Sequence, residues 1–263
     1  MRENRLRRLW AEGKAAVNGW LGIPSAVSAE NMAQAGWDSL TVDTQHGLVD
    51  YQAAVGMLQA ISTTDAVPLV RVPWNEPGVM MKMLDAGAYG IICPMVNSRE
   101  EAEAMVRACR YPPMGERSFG PTRAFWYGGA DYAEKANDTV VVMPMVETRK
   151  AIENLDDILS TPGVDGVYVG PADLGLSHGF VAKGDRDEPE LLEIIHRIPK
   201  AAAKHGKVAG IHCGAPAYAR KMVDAGYRLV TIQADNQLLA SAARRAVELT
   251  RHGESKGSGG GLY

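Results

Sequence analysis

Two acidic residues, Glu147 and Asp173, each follow a short apolar run, "VVVMPMV" and "GVYVGPA". Paired carboxylates at such points suit a hard divalent cation that keeps open positions for water and substrate. An ion pair of Glu147 with Arg149 or Lys150, or a helix cap by Asp173, would use the same residues. His46 closes "SLTVDTQH", three residues after Asp43, and a histidine there can serve as a general base near neutral pH. A hydrogen-bonded loop histidine is the plainer reading. Arg71 ends the apolar run "VPLVR". Arginine is almost never fully buried without a partner, so it either holds an oxyanion or sits in a structural ion pair. Gly170 allows a close approach of backbone to a ligand, Pro171 follows it, and the backbone N–H groups at the helix start beyond, at Ala172 and Asp173, could bind a carboxylate.

Weaker candidates are Trp20, Gly22, Pro94, His212 and Gln233, each at the end of an apolar run. His178, His196, His205 and His252 show no zinc-binding spacing and are expected at the surface. Met80, Met81 and Met83 read as core fillers. Lys82, Lys150, Lys183 and Lys207 fall in expected helices or loops, which disfavours Schiff-base chemistry.

What must position these residues is a repeated strand–helix unit. Strands are predicted at 17–21, 39–43, 67–71, 90–94, 140–146, 166–169, 208–211 and 229–233, short and β-branched as in strands buried on both faces. Helices are predicted at 26–35, 51–61, 78–86, 99–109, 151–159, 190–205, 217–225 and 238–250, with one more near 4–12. Gly36, Gly87, Gly206 and Gly226 stand where helices should end. "MAQAGWDSLTV", "MLDAGAYGIICP" and "MVDAGYRLVTI" repeat one pattern of helix end, Ala-Gly and strand. Eight such units predict a (β/α)8 TIM barrel in a single domain, residues 1–252, followed by a disordered Gly/Ser-rich tail at 253–263. An open doubly wound sheet is the competitor, but it lacks a GxGxxG or GxxxxGK[ST] signature here. In a barrel the strand ends named above would meet at one mouth. The long connection 111–138, rich in aromatics, is expected to be an ordered lid or a subunit contact. The apolar face of the last helix, with Leu239, Ala242, Ala243, Ala246, Val247 and Leu249, is wide enough to pack on a neighbouring subunit.

The chain has 263 residues, with 28 Lys and Arg against 31 Asp and Glu, a net charge of −3. No basic excess points to nucleic acid. No run of about 18 apolar residues predicts a membrane span, and the charged segment 1–10 does not read as a secretory signal. Cys93, Cys109 and Cys213 lack CxxC spacing and read as reduced core thiols, which fits a cytoplasmic location.

"GWLGIPSAVSAENMAQAGWDSLTVDTQHG", "VRVPWNEP", "DAGAYGIICPMVNSREEAEAMVRACRYPPMGERS", "VETRKAIENLDDIL" and "GVDGVYVGPADLGLSHG" together resemble the HpcH/HpaI family of metal-dependent (class II) pyruvate aldolases, including 4-hydroxy-2-oxoheptanedioate aldolases. The resemblance runs from about Gly13 to Val247. It implies reversible retro-aldol cleavage of a 4-hydroxy-2-oxo acid to pyruvate and an aldehyde through a metal-stabilised enolate, with Mg2+, Mn2+ or Co2+. It implies Glu147 and Asp173 as metal ligands, His46 as proton acceptor, Arg71 as transition-state stabiliser, and the Ala172 and Asp173 amides as the carboxylate clamp. It casts Asp85 as an aspartate that raises the basicity of the histidine. The end of its helix belongs at the closed end of the barrel, so such a pairing would have to cross a subunit interface. A homo-oligomer, trimer or hexamer, is implied as well.

Two departures bear on substrate. Thr44-Gln45 stands where the family commonly has Gly-Glu, and Met145 where many members have a substrate-contacting glutamine. The aldehyde is left open among succinic semialdehyde, lactaldehyde, tartronate semialdehyde and simpler hydroxyaldehydes, in aromatic or sugar-acid catabolism. Two other readings compete: an acyl-CoA lyase of the citrate lyase β or malyl-CoA type, and a barrel that binds keto acids without catalysis.

Overall fold

In a computed structural model, which describes residues 1–253, the strands are β1 (Ala16–Leu21), β2 (Ser39–Asp43), β3 (Val67–Arg71), β4 (Gly90–Cys93), β5 (Val141–Pro144), β6 (Gly166–Val169), β7 (Val208–Cys213) and β8 (Leu229–Ala234). They form one parallel sheet in the order β5-β4-β3-β2-β1-β8-β7-β6. A bridge between Met145 and Tyr168 joins its two edges and closes the barrel. The helices are α1 (Arg5–Ala11), α2 (Ala26–Ala33), α3 (Tyr51–Ile61), α4 (Pro77–Asp85), α5 (Arg99–Cys109), α6 (Thr122–Gly128), α7 (Tyr132–Thr139), α8 (Arg149–Glu153), α9 (Leu155–Ser160), α10 (Pro171–Ser177), α11 (Pro189–Lys204), α12 (Pro216–Asp224) and α13 (Asp235–His252). The (β/α)8 barrel is therefore the observed architecture. The tail assigned to 253–263 lies, apart from Gly253, outside the described residues.

Strand alternation sorts the side chains into two cores. Leu40, Val42, Val70, Ile91, Val142, Val167, Ile211 and Val230 face outward and meet the helices. Trp20, Leu69, Ile92, Met143, Met145, Tyr168 and Leu229 face inward and fill the barrel. Part of that interior is polar. Asn18 donates to Thr41 Oγ1 at 3.0 Å and Thr231 Oγ1 at 2.9 Å, and its carbonyl accepts from Ser39 at 2.7 Å. All four residues are buried, so each polar atom needs the others.

Three expectations are corrected. The connection 111–138 is not a lid: it folds into α6 and α7 at the end of the barrel where strands begin. Asn4 ties it there, donating to Tyr89 O at 3.2 Å and Thr139 O at 2.9 Å, just ahead of β4 and β5. Topology requires this, because a segment running from a helix to the next strand lies at the end opposite the mouth. Second, the helix expected over 151–159 is two helices, α8 and α9, broken at Asn154. Third, the last helix begins at Asp235 rather than 238. Its Leu239 is 64% exposed, in keeping with the wide apolar face. No helix among the described residues is long and apolar enough to cross a membrane.

Candidate active site

The strand ends converge on a cavity of about 490 Å3 at the mouth. Its lining includes Trp20, Gly22, Asp43, His46, Arg71, Met145, Glu147, Gly170, Pro171, Ala172, Asp173 and His212. Asp85, Pro94 and Gln233 are not among the lining residues, and Asp85 lies farthest from expectation. It ends α4 at the closed side, where its carboxylate meets Arg117 Nη2 at 2.6 Å. Arg117 is wholly buried, donates to the Tyr132 hydroxyl at 3.0 Å and lies over the Tyr111 ring. Burial raises the Asp85 carboxyl above its usual range, with Arg117 opposing. Within one chain Asp85 and His46 are not brought together.

Arg71 and Asp43 end neighbouring strands in register. The Arg71 Nε and Nη2 donate to the two Asp43 oxygens at 2.8 and 2.6 Å, a bidentate pair. Burial works against the Asp43 charge, but the guanidinium outweighs it and holds the carboxyl below its usual range. The Trp20 side chain also favours the Asp43 charge. Trp20 in turn lies under the guanidinium, with Cζ 4.8 Å from its ring centre. Asp43 also accepts from the backbone N–H of Gln45 at 3.1 Å and of His46 at 3.3 Å. It thus shapes the loop that carries His46 and does not touch the imidazole, which is exposed at the mouth. Gly47 lets that loop turn, since a Cβ there would meet Asp43 O at 2.2 Å.

Glu147 is 2% exposed. Its Oε1 accepts the Met95 N–H at 2.8 Å. Met95 takes a left-handed backbone, φ 57°, to present that N–H. Oε2 lies against Gly170, where a Cβ would come within 2.1 Å. Any larger residue at 170 would displace the carboxylate. Burial raises the Glu147 carboxyl to about 7, and the nearby Asp173 adds to it. A desolvated carboxylate beside a second one, with one oxygen lacking a hydrogen bond, calls for a cation. The donors are hard oxygens and the pocket leaves room for water and ligand, so the pair fits a divalent ion. Among the described residues no group of three or more His, Cys, Asp or Glu offers a competing site. Asp173 stands in the first turn of α10 after Gly170, where helix geometry leaves N–H groups of Ala172 and Asp173 without an intrahelical acceptor.

His212 faces inward from β7. Its ring meets Trp20 edge-on, centroids 5.0 Å apart, and its Nδ1 lies 3.5 Å from the Tyr168 hydroxyl. Burial first, then the Arg71 charge, pushes the imidazole down to about 4. Gln233 does not reach the cavity; Ala234, Asn236 and Gln237 do.

Several contributors escaped the sequence reading. Met95 acts through its backbone and carries no side-chain signal. Asp235 is buried and accepts the Gly22 N–H at 2.8 Å and the Ser28 hydroxyl at 3.2 Å, pinning the loop after β1. Its place just before an apolar helix was the available sign. Tyr168 lies inside "GVYVG", where it reads as one more core residue.

A family model described as HpcH/HpaI aldolase/citrate lyase matches residues 19–242. A hydroxypyruvate/pyruvate aldolase of Rhizorhabdus wittichii is 42% identical over 244 residues, covering 93% of this chain and 97% of that one. A 4-hydroxy-2-oxo-heptane-1,7-dioate aldolase of Escherichia coli is 37% identical, covering 92% of each. The crystal structure of an HpcH/HpaI aldolase/citrate lyase family protein from Burkholderia cenocepacia superposes with a TM-score of 0.88 at 34% identity, covering 95% of this chain and all of that one.

Proposed function

The chain belongs to the HpcH/HpaI aldolase/citrate lyase family, and from that premise we propose that it cleaves 4-hydroxy-2-oxo acids reversibly to pyruvate and an aldehyde. It is an aldolase-type lyase, and the family works with a divalent metal. The observation that carries the reading is the grouping of Glu147, Asp173, Arg71 and His46 around one cavity. Glu147 and Asp173 would hold the ion, with Mg2+, Mn2+ and Co2+ as the candidates. When bound, a divalent ion there supplies Lewis acidity toward the keto oxygen of the substrate.

The rest is work for the chain's own side chains. The Ala172 and Asp173 amides would receive the substrate carboxylate. Arg71, fixed in direction by Asp43 and Trp20, would place its remaining N–H groups where the keto oxygen gains charge as the C3–C4 bond breaks. His46, exposed at the mouth, would take the C4 hydroxyl proton, directly or through a water. In synthesis it would take a proton from the methyl carbon of pyruvate. Met145 and Trp20 would exclude water around the reacting carbon. The acyl-CoA reading gains no support from the cavity. Arg71 is the one Arg or Lys in its lining and is already paired with Asp43, leaving no cation for the phosphates.

Incubation with pyruvate and Mn2+ in D2O, followed by proton NMR, tests this reading. Loss of the methyl signal is expected, together with aldol product once an aldehyde is added. Full retention of the methyl protons, with no cleavage of any 4-hydroxy-2-oxo acid, would overturn it.

A further inference from the structure

We propose that Asn97 is a positioning residue for the metal site, holding Glu147 through two neighbours at once so that one carboxylate oxygen stays aimed into the cavity. This rests on the reading of Glu147 and Asp173 as the pair that holds the divalent ion.

Asn97 does not line the cavity. It stands behind the wall, in the loop between β4 and α5, and its carboxamide joins that loop to the one after β5. Nδ2 donates to the backbone carbonyl of Met95 at 2.7 Å. Oδ1 accepts from the Thr148 hydroxyl. Chemistry fixes which end of the amide faces which partner. The Met95 carbonyl can only accept, so the nitrogen must face it. The Thr148 hydroxyl already accepts the Ala151 N–H at 3.1 Å as the cap of α8, and its own proton is left for Oδ1.

These bonds close a ring on Glu147. The Met95 N–H donates to Glu147 Oε1 at 2.8 Å, and Thr148 follows Glu147 in the chain. Asn97 therefore reaches the carboxylate through the Met95 backbone and reaches the Glu147 main chain through Thr148. One side chain fixes the glutamate at its head and at its base. With Oε1 held, Oε2 is the oxygen offered to an ion.

Met95 needs this hold. Its φ of 57° is left-handed, a conformation that a methionine keeps only when its surroundings impose it. If the loop relaxed, the Met95 N–H would turn away from Oε1. Asn97 grips the carbonyl of that same residue, and is itself gripped in turn. Its N–H donates to Glu101 Oε2 at 2.5 Å, and its C=O accepts from Asn154 Nδ2 at 2.7 Å. Asn154 is where α8 and α9 part, so the break in that helix delivers a side chain to this hub. The ring demands a donor on one side and an acceptor on the other, which a carboxamide supplies and a carboxylate or an alkyl group does not.

Electron paramagnetic resonance of Mn2+ tests this, because it counts free against bound ion in the substrate-free protein and needs no turnover. Asn97→Leu, close in size and without polar atoms, should weaken Mn2+ binding about 10-fold or more, the scale for residues that support a metal ligand. Thr148→Val opens the ring at its other junction and should weaken binding about 3- to 10-fold, the scale of one net hydrogen bond. It decides the matter should Asn97→Leu fail to fold. Thr148→Ser, which keeps the hydroxyl, should stay within about 3-fold of the unsubstituted protein. A cycle with Glu147→Gln separates positioning from a merely structural part. In that background the carboxylate is gone, so Asn97→Leu should lower the affinity further by less than about 3-fold. Affinity unchanged in both Asn97→Leu and Thr148→Val, or a further loss of about 10-fold in the Glu147→Gln background, would overturn the role of Asn97 and leave the metal reading standing. An unsubstituted protein that binds no Mn2+ would overturn the metal reading itself, and this role with it.

Discussion

The guanidinium of Arg71 is held by Asp43 through two hydrogen bonds, 2.8 and 2.6 Å long, so that its direction is set by a residue of the neighbouring strand. An arginine free to swing would lose the alignment on which its effect at a developing charge depends. Arg71→Ala should lower kcat/KM at least about 10²-fold, the scale of a lost oxyanion donor. Arg71→Lys keeps the charge and loses the fork, and should recover only part of that loss. Asp43→Asn should reduce kcat more than it raises KM, measured by steady-state cleavage.

His46→Ala should cost about 10²-fold or more in turnover, as expected for a lost general base. Deuterium exchange at the pyruvate methyl should fall with it, while metal affinity measured by calorimetry stays the same.

Removal of divalent ions with EDTA should abolish turnover, and Mg2+, Mn2+ or Co2+ should restore it. Glu147→Gln should weaken binding of the metal by at least about 10-fold, since even residues supporting a ligand cost that much. Metal-stripped protein at full activity would contradict the assignment of Glu147 and Asp173.

His212 carries a pH signature. Its imidazole is held near 4 in the folded protein against an ordinary value of about 6.5. Below pH 6.5 the unfolded chain takes a proton that the folded one refuses. The contribution is therefore fully present above about 6.5 and is lost as pH falls toward 4, by roughly 1–2 kcal/mol for a partly exposed ring. Urea unfolding at pH 7 and pH 4.5 should show this slope in the unsubstituted protein and a smaller one in His212→Leu.

At the closed end, Asp85→Ala should lower stability by about 3 kcal/mol, because Arg117 would remain buried with its charge unpaired. Arg117→Met should cost less, since Asp85 keeps some access to water. Urea denaturation at neutral pH measures both.

Most of the barrel can be read from the chain because strands buried on both faces are largely apolar runs, and Gly90–Cys93 and Gly166–Val169 are such runs from end to end. β7 extends past its expected end at Ile211 because backbone pairing carries on through His212 and Cys213, whatever their polarity, and β8 extends past Gln233 because its ladder bulges there and resumes between Trp20 and Ala234. The connection 111–138 misleads because its aromatics resemble a lid; connectivity, not composition, decides which end it covers. At the mouth, side chains such as Glu147 and Arg71 announce themselves by type and place. The Met95 N–H that braces Glu147 does not, since a backbone donor looks the same at every residue.

The polar knot around Asn18 also bears on how the chain finds its register. A slip of β1 by one residue would turn Asn18 outward among the apolar helices and carry Val17 into the company of Thr41 and Thr231. Hydrophobic residues alone would tolerate that exchange; a carboxamide stripped of its hydroxyl partners would not. That group thereby penalises misaligned barrels during folding, and apolar replacements at position 18 should yield a looser, less uniquely folded protein.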